Sequence, residues 1–576
     1  MDFKLYQEGS AFDAYRHFGA HPGESGTVFR THAPNAQNVV LIGEFSDWEE
    51  LPMQAENGVW SLYVEGAVPG MMYKYRITGA DGYTMDHADP YGFQSELRPN
   101  AASVIYDHTH YRFKDDAWLR QRNRGHNAPV SIYEMHLGSW RTKVHELGEY
   151  YDGEEILKEE DNWYSYREIA EPLAEYLNEM GFTHVEIMPL MEHPLDASWG
   201  YQPTGFFAPT SRYGHPDDLK YLIDTLHHHG IGVIMDFVPV HFAVDGFGLS
   251  RYDGTYFYEY PHPDVGYSEW GSYNFMHSKG EVASFLMSSA AYWIEMFHID
   301  GLRFDAVSRL IYWHGDPARG YIDHAINFLK RLNSGLHERH PDIMLIAEDS
   351  TDYPLVTKSV PEGGLGFDYK WDMGWMHDTL DFFRTAPWIR TDQYNKISFS
   401  MMYFYNENYI LPFSHDEVVH GKATIAQKMW GPYEEKFPQL RSLYLYMFAH
   451  PGKKLNFMGN EIAQLREWDE KREQDWDMLR YPIHDAFRHY FADINHMYKK
   501  YPQLYEGDYD PESYRWIIVD DGLGVVYAFW RGLGREKILF FFNFSGQDHS
   551  YYTFYLREAE ITEELINTDW EEYRSG

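Results

Sequence analysis

At 576 residues the chain is too long for one hydrophobic core, so roughly two to four domains are expected. Its formal net charge of −39 argues against nucleic acid or an anionic membrane as partner, because phosphate groups are met by Lys and Arg surfaces. The absence of cysteine excludes disulfides, zinc–thiolate sites and thiol nucleophiles.

The opening residues MDFKLYQEGS carry no basic and apolar signal pattern, and no run of 18 apolar residues is present. A cytoplasmic chain is the simplest expectation. Aromatic residues make up 18%; most of them fill cores, but their faces also suit the C–H faces of sugar rings.

From Gly26 to Tyr106 short strands alternate with Pro, Asn and Gly turns: Thr27–Phe29, Val39–Ile42, Trp60–Val64 and Tyr73–Ile77. Strands at this spacing predict a β-sandwich. Lys114–Asn127 reads as a connector. From Val130 strands and helices alternate. Ser131–His136 is a β-like run. Ser165 and Glu168 form a capping box for the next helix, which Pro172 is expected to kink or restart and Gly181 to end.

His184–Met188 is the second strand. A helix opened by His215-Pro216-Asp217-Asp218 places Leu219, Leu222, Ile223 and Leu226 on one face and closes at Gly230. Strand Gly232–Asp236, helix Glu281–Phe297, strand Gly301–Asp305, helix Ile326–Arg339 and strand Ile343–Glu348 follow. Phe367–Trp371, Tyr409–Phe413 and Lys454–Met458 complete eight strand-like runs. Repeated βα units of this number predict a (β/α)8 barrel rather than an open sheet. Beyond about Asp477 a helix pair is expected. Trp516–Val519, Val525–Trp530, Ile538–Phe544 and Tyr551–Leu556 then predict an antiparallel β domain. The expected division is 1–113, 114–480 and 481–576.

In such a barrel the working face lies at the C-terminal strand ends. Those ends read Asp236-Phe-Val-Pro-Val-His241, Arg303-Phe-Asp305, Ala347-Glu348-Asp349 and Ser414-His415-Asp416-Glu417: apolar runs that stop at ionisable groups. One such ending is ordinary helix capping; four at one mouth point to a site. Clustered carboxyls suit glycosyl transfer, where one protonates the leaving oxygen and another meets the oxocarbenium-like carbon. Such chemistry needs no metal or cofactor. His227-His228-His229, at a helix end, reads as cations facing the helix dipole rather than a metal site. Trp48 and Trp60 are candidates for sugar-ring contact on the sandwich, with a core or interface role at least as open for Trp60.

Several stretches carry a resemblance: IYEMHLGSW (132–140), EHPLDASWGYQPTGFFAPTSRYG (192–214), IDGLRFDAV (299–307), IAEDST (346–351), GLGFDYKWDMGWMHDTL (364–380), LPFSHDEVVHGK (411–422) and PGKKLNFMGNE (451–461). They resemble the signature regions of the α-amylase family, glycoside hydrolase family 13, and most closely its bacterial glycogen branching enzymes. GEFSDWEELPM (43–53) and ADPYG (88–92) resemble the family's preceding β-sandwich, of the carbohydrate-binding-module-48 type. The resemblance implies Asp305 as nucleophile, Glu348 as general acid and then base, and Asp416 as transition-state stabiliser. It implies Arg303 as holder of the nucleophile, His241 and His415 as partners of sugar hydroxyls, Tyr201 as a ring platform and Asp236 as an electrostatic partner. Glu461 is a supporting group outside this set. The implied substrate is an α-1,4-glucan, as donor and acceptor, handled by a monomer or weak oligomer without cofactor; a calcium site is not evident. The choice between water and a glucan 6-hydroxyl as acceptor rests on the resemblance alone. The C-terminal domain is short for the family, which implies either a truncated chain or missing last strands.

Overall fold

The computed structural model describes residues 1–122, 125–143, 159–519, 523–557 and 559–574. Near the N-terminus two antiparallel sheets face each other. One orders Gly19–Pro22, Gly26–His32, Val59–Glu65 and Gln54–Glu56; the other holds Leu51–Pro52, Asn38–Gly43, Met72–Thr78, Thr84–His87 and Ser103–Val104. Met72–Thr78 alternates half-buried and buried side chains, as a strand with one covered face must. The sheets meet where Phe29 packs edge-on to Tyr73, ring centroids 4.9 Å apart. Trp60 donates its indole N–H to the Ala33 carbonyl at 3.0 Å, so it is tied into the module; Trp48 is 40% exposed.

Eight parallel strands then close into a barrel. They are β1 (Ser131–Met135), β2 (His184–Ile187), β3 (Gly232–Phe237), β4 (Gly301–Phe304), β5 (Met344–Ala347), β6 (Tyr369–Trp371), β7 (Tyr409–Phe413) and β8 (Lys453–Phe457). The helices between them are α1 (Tyr166–Met180), α2 (Pro216–His228), α3 (Gly280–Phe297), α4 (Asp323–Arg339), α5 (Met373–Arg384) and α6 (Tyr433–Ala449); α7 (Pro482–Lys500) follows β8. Between β5 and β6 the described chain forms only a 3-10 turn, Val360–Glu362, in place of a helix.

Local signals explain the boundaries. The Glu168 amide donates to Ser165 Oγ at 3.1 Å while the Ser165 amide donates to Glu168 at 2.8 Å, and Gly181 ends α1 at φ 85°. Pro172 does not restart α1, which runs through it. A proline there deletes one intrahelical bond, and the burial of Ile169, Leu173, Leu177 and Met180 outweighs that loss. The expected helix pair after Asp477 is a 3-10 turn, Trp476–Arg480, followed by the single helix α7, which starts where Pro482 fits the first helical position.

The C-terminal sheet is antiparallel with three strands: Tyr514–Ile518, Val526–Arg531 and Ile538–Asn543. Tyr551–Leu556 is not a fourth strand: it carries no ladder pairing among the described residues, Tyr551 and Tyr555 are exposed, and Phe554 meets the sheet at the Phe541 ring, centroids 4.5 Å apart. An alternating pattern makes a strand only where a neighbour supplies ladder bonds and a buried face.

The histidine triplet also differs in part from expectation. His227 lies inside, 2.7 Å from both Asp115 and Asp300. Burial opposes its charge, but the two carboxylates outweigh it and raise the imidazole to about 9. It is a cation in the last turn of α2, as expected, but a buried one held between two carboxylates rather than one facing solvent. His228 fits the dipole reading better, since its Nδ1 lies 2.7 Å from the Asp224 carbonyl in the last turn.

Candidate active site

The barrel interior is built in layers. Val130, Ile132, Ile234, Ile346, Tyr369, Trp371, Ile410 and Leu455 form a buried apolar plug separate from the main core. Successive side chains alternate along a strand, so the residue two positions on shares its face. Two positions past Ile132, Ile234 and Ile346 stand Glu134, Asp236 and Glu348, and two past Gly301 stands Arg303. A polar layer therefore sits on the plug at the C-terminal mouth.

Arg303 organises that layer. Its guanidinium lies 4.3 Å from the Trp371 ring centroid, and its Nη1 donates to Asp236 Oδ2 at 3.1 Å and Asp305 Oδ1 at 3.0 Å. Glu348 is farther, at 3.9 Å. Burial works against the arginine charge, but Asp236, Tyr201, Asp305 and Glu348 together keep it a cation. The Tyr201 hydroxyl donates to Asp236 Oδ2, and the Tyr201 ring stacks on His415 with centroids 5.7 Å apart.

Asp305 leaves β4 with its amide bonded to the Phe237 carbonyl, and Ala306 follows in the left-handed region at φ 49°. That turn aims the Ala306 N–H at Glu348 Oε2, 2.7 Å away. Burial raises both carboxyls, Arg303 opposes the rise, and Asp416 adds to it. Neighbouring acids that share one cation hold one proton between them near neutral pH. Burial, helped by Glu348, Asp236 and Asp416 and opposed by Arg303, raises Asp305 to about 7, and Arg303 lies nearer Asp305 than Glu348.

Asp416 sits on a short turn after β7. Burial pushes its carboxyl up, but His415, then Arg303 and Lys422, outweigh that and hold it below the usual carboxylate range. His415 is clamped beneath: its amide and Nδ1 both donate to Glu134 at 2.8 Å, while Nε2 lies 3.5 Å from Asp416. Burial disfavours its charge, but Asp416 and Glu134 raise it to about 9. His241 has both nitrogens engaged, Nε2 with the Tyr201 carbonyl at 2.7 Å and Nδ1 with Ser272 Oγ at 2.8 Å. Burial lowers it to about 4, which fits a neutral ring.

Asp236, Arg303, Asp305, Glu348, His415, Asp416 and Tyr201 thus form one connected set, with His241 joined through the Tyr201 backbone. Sequence reasoning missed Glu134, Glu186 and Trp371. The signal was present: Glu134 and Glu186 stand inside otherwise apolar strands and are direct partners in the β1–β2 register. Glu461 accepts from the Tyr133 and Tyr176 hydroxyls at 2.8 Å, outside this set.

A closed barrel with clustered carboxyls of raised proton affinity at its mouth, between two β modules, is the architecture of a carbohydrate-active enzyme of the α-amylase type. Family models agree: carbohydrate-binding module 48 (isoamylase N-terminal domain) matches 17–92, the α-amylase catalytic domain 159–254, and the α-amylase C-terminal all-β domain 516–576. The matched catalytic segment ends before Asp305, so the later site residues rest on the geometry above.

The chain is 44% identical to the 1,4-alpha-glucan branching enzyme GlgB of Fusobacterium nucleatum, covering 96% of this chain and 88% of that protein. It is 43% identical to GlgB of Geobacillus stearothermophilus, covering 99% and 89%. The pullulanase of Bacillus acidopullulyticus shares the fold at a TM-score of 0.68 and 18% identity, over 92% of this chain and 68% of that one. The chain belongs to the 1,4-alpha-glucan branching enzymes of the α-amylase family.

Proposed function

We propose that this chain makes α-1,6 branch points in an α-1,4-glucan by double displacement, with Asp305, Glu348 and Asp416 as the catalytic residues. In the first step Asp305 attacks the anomeric carbon, the glycosidic C–O bond breaks, and the Glu348 proton passes to the leaving 4-oxygen. A glycosyl ester on Asp305 remains. In the second step Glu348 takes the proton of an incoming 6-hydroxyl, whose oxygen displaces Asp305 and restores it as a carboxylate. Asp416 faces the positive charge that builds on the sugar. His415, whose Nε2 holds Asp416 loosely at 3.5 Å, has room to donate to a sugar hydroxyl. Tyr201 offers the sugar ring a face, and His241 holds the Tyr201 backbone.

The observation that supports this reading is the unequal reach of Arg303, 3.0 Å to Asp305 and 3.9 Å to Glu348, which favours an anion at Asp305 over one at Glu348. The same reading takes 1–113 as a glucan-binding module, 114–480 as the catalytic barrel and 481–576 as the closing β domain. It takes the enzyme as a cytoplasmic monomer or weak oligomer that meets glucan rather than nucleic acid or membrane. Its net charge of −39 supports this, and no helix among the described residues is long and apolar enough to cross a membrane.

The test is covalent trapping. A 5-fluoro-glucosyl fluoride, turned over slowly by Glu348→Gln, is expected to leave a glycosyl adduct on the peptide containing Asp305. An adduct on another carboxylate would reassign the nucleophile.

A further inference from the structure

Under Asp236 lies a carboxyl that the reaction above does not use. Glu186, midway along β2, is fully buried, and neither of its oxygens has a hydrogen-bond partner among the described residues. Asp236 Oδ1, on the neighbouring strand, is also buried and unpartnered. One oxygen each of Glu134, Glu186 and Asp236 lie within 4.8 Å of one another.

The remaining oxygens of this group are taken. Both Glu134 oxygens accept from His415, and Asp236 Oδ2 accepts from Tyr201 and Arg303. A metal ion would find only Glu186 and Asp236 Oδ1 free, too few for a hard cation that takes roughly six oxygen ligands. Nor does a protein cation reach Glu186: His415 is bonded to Glu134, and Arg303, bonded to Asp236 and Asp305 through Nη1, keeps a buried Nε that donates to neither Glu186 oxygen among the described residues. What closes the arrangement is a proton.

We propose that Glu186 is a positioning residue for glucan transfer: a neutral carboxylic acid that donates its proton to Asp236 Oδ1 and so fixes the Asp236–Arg303–Asp305 chain. The groups facing it are Asp236 on β3, Glu134 on β1 and Arg303 on β4. Burial, Asp236 and Glu134 all favour its protonated form, and only Arg303 opposes. A neutral donor settles Asp236 as an anion for Arg303 without adding charge beneath Asp305. An ionised Glu186 would do the opposite and raise the proton affinity of the nucleophile.

This inference rests on the assignment of Asp305 as nucleophile, but its first readout does not. Infrared difference spectroscopy of the wild-type protein against Glu186→Gln at neutral pH is expected to show the C=O band of a neutral carboxylic acid, absent from the variant. No such band would overturn the proposal whatever the nucleophile is.

Kinetics supply the second readout. The Gln amide also donates without charge, so Glu186→Gln should keep kcat within about threefold and reproduce the wild-type pH profile. Glu186→Leu removes the donor and should lower kcat on the order of tenfold with KM little changed, its acidic limb moving to higher pH as Asp236 accepts a proton more readily. If Glu186→Gln loses as much activity as Glu186→Leu, or moves the acidic limb to lower pH, Glu186 is an anion and the proposal fails. It fails equally if chelation inactivates the wild-type enzyme and calcium restores it. Should Glu186→Leu not fold, the band and the Gln profile decide alone.

Discussion

The two ends of the barrel both bury charge, but they do so differently. At the N-terminal end Lys453 on β8 donates to the His126, Ala128 and Tyr505 carbonyls and to Asp508 at 2.9 Å, while Arg531 donates to Asp508 at 2.6 Å and to the Ala449 and Leu504 carbonyls. Of these groups, Arg531 Nε alone has no partner among the described residues. At the mouth, Glu186, Asp236 Oδ1 and Arg303 Nε have no partner among the described residues, and two acids compete for one arginine. A nearly saturated cluster holds domains together; here it ties the C-terminal sheet to the barrel. An unsaturated cluster keeps carboxyls at unusual proton affinities, which is what acid–base chemistry needs.

Breaking the mouth should abolish turnover without unfolding. Asp305→Asn removes the nucleophile and is expected to cost on the order of 10⁴-fold in kcat, measured as branch formation on amylose, with an unchanged melting temperature. Glu348→Gln should cost about 10³-fold on amylose, yet far less in the first step with glucosyl fluoride, whose leaving group needs no proton. Near-equal losses on both donors would remove Glu348 from the acid role.

Breaking the other end should do the reverse. Asp508→Ala leaves two buried cations unpaired and should destabilise the fold by about 3–5 kcal/mol in denaturant unfolding, with kcat per folded molecule preserved. Loss of activity in a stable variant would erase the contrast.

A smaller effect sharpens it. His415 is raised from 6.5 to about 9. The stability its proton contributes, up to about 3 kcal/mol, is fully present below pH 6.5 and lost as pH rises through about 9. Melting temperature and kcat should both fall across that window, and Glu134→Gln should move the fall to lower pH. A flat profile to pH 10 would show that the His415 proton is not used.

The same contrast explains what was legible in the sequence. The barrel could be read because each strand is an apolar run closed by turn chemistry. Asp236, Asp305, Glu348 and Asp416 could be read because each ends or follows such a run. Glu134 and Glu186 stand inside their runs, where a lone acid looks like an irregularity; only strand register makes them neighbours. The partners of His227 were not legible because helix position says nothing of Asp115, 112 residues away, and Asp300, 73 residues away. The missing helix between β5 and β6 and the unpaired Tyr551–Leu556 are tertiary outcomes that local pattern does not encode.

The decisive measurement is on linear amylose with the purified wild-type enzyme, following α-1,6 anomeric proton signals and reducing ends together. Rising α-1,6 signal with few new reducing ends is the expected result, because the Asp305 ester is passed to a glucan hydroxyl. Rising reducing ends with no α-1,6 signal would mean that water takes the ester, and the chain would be a hydrolase built on the same carboxylates.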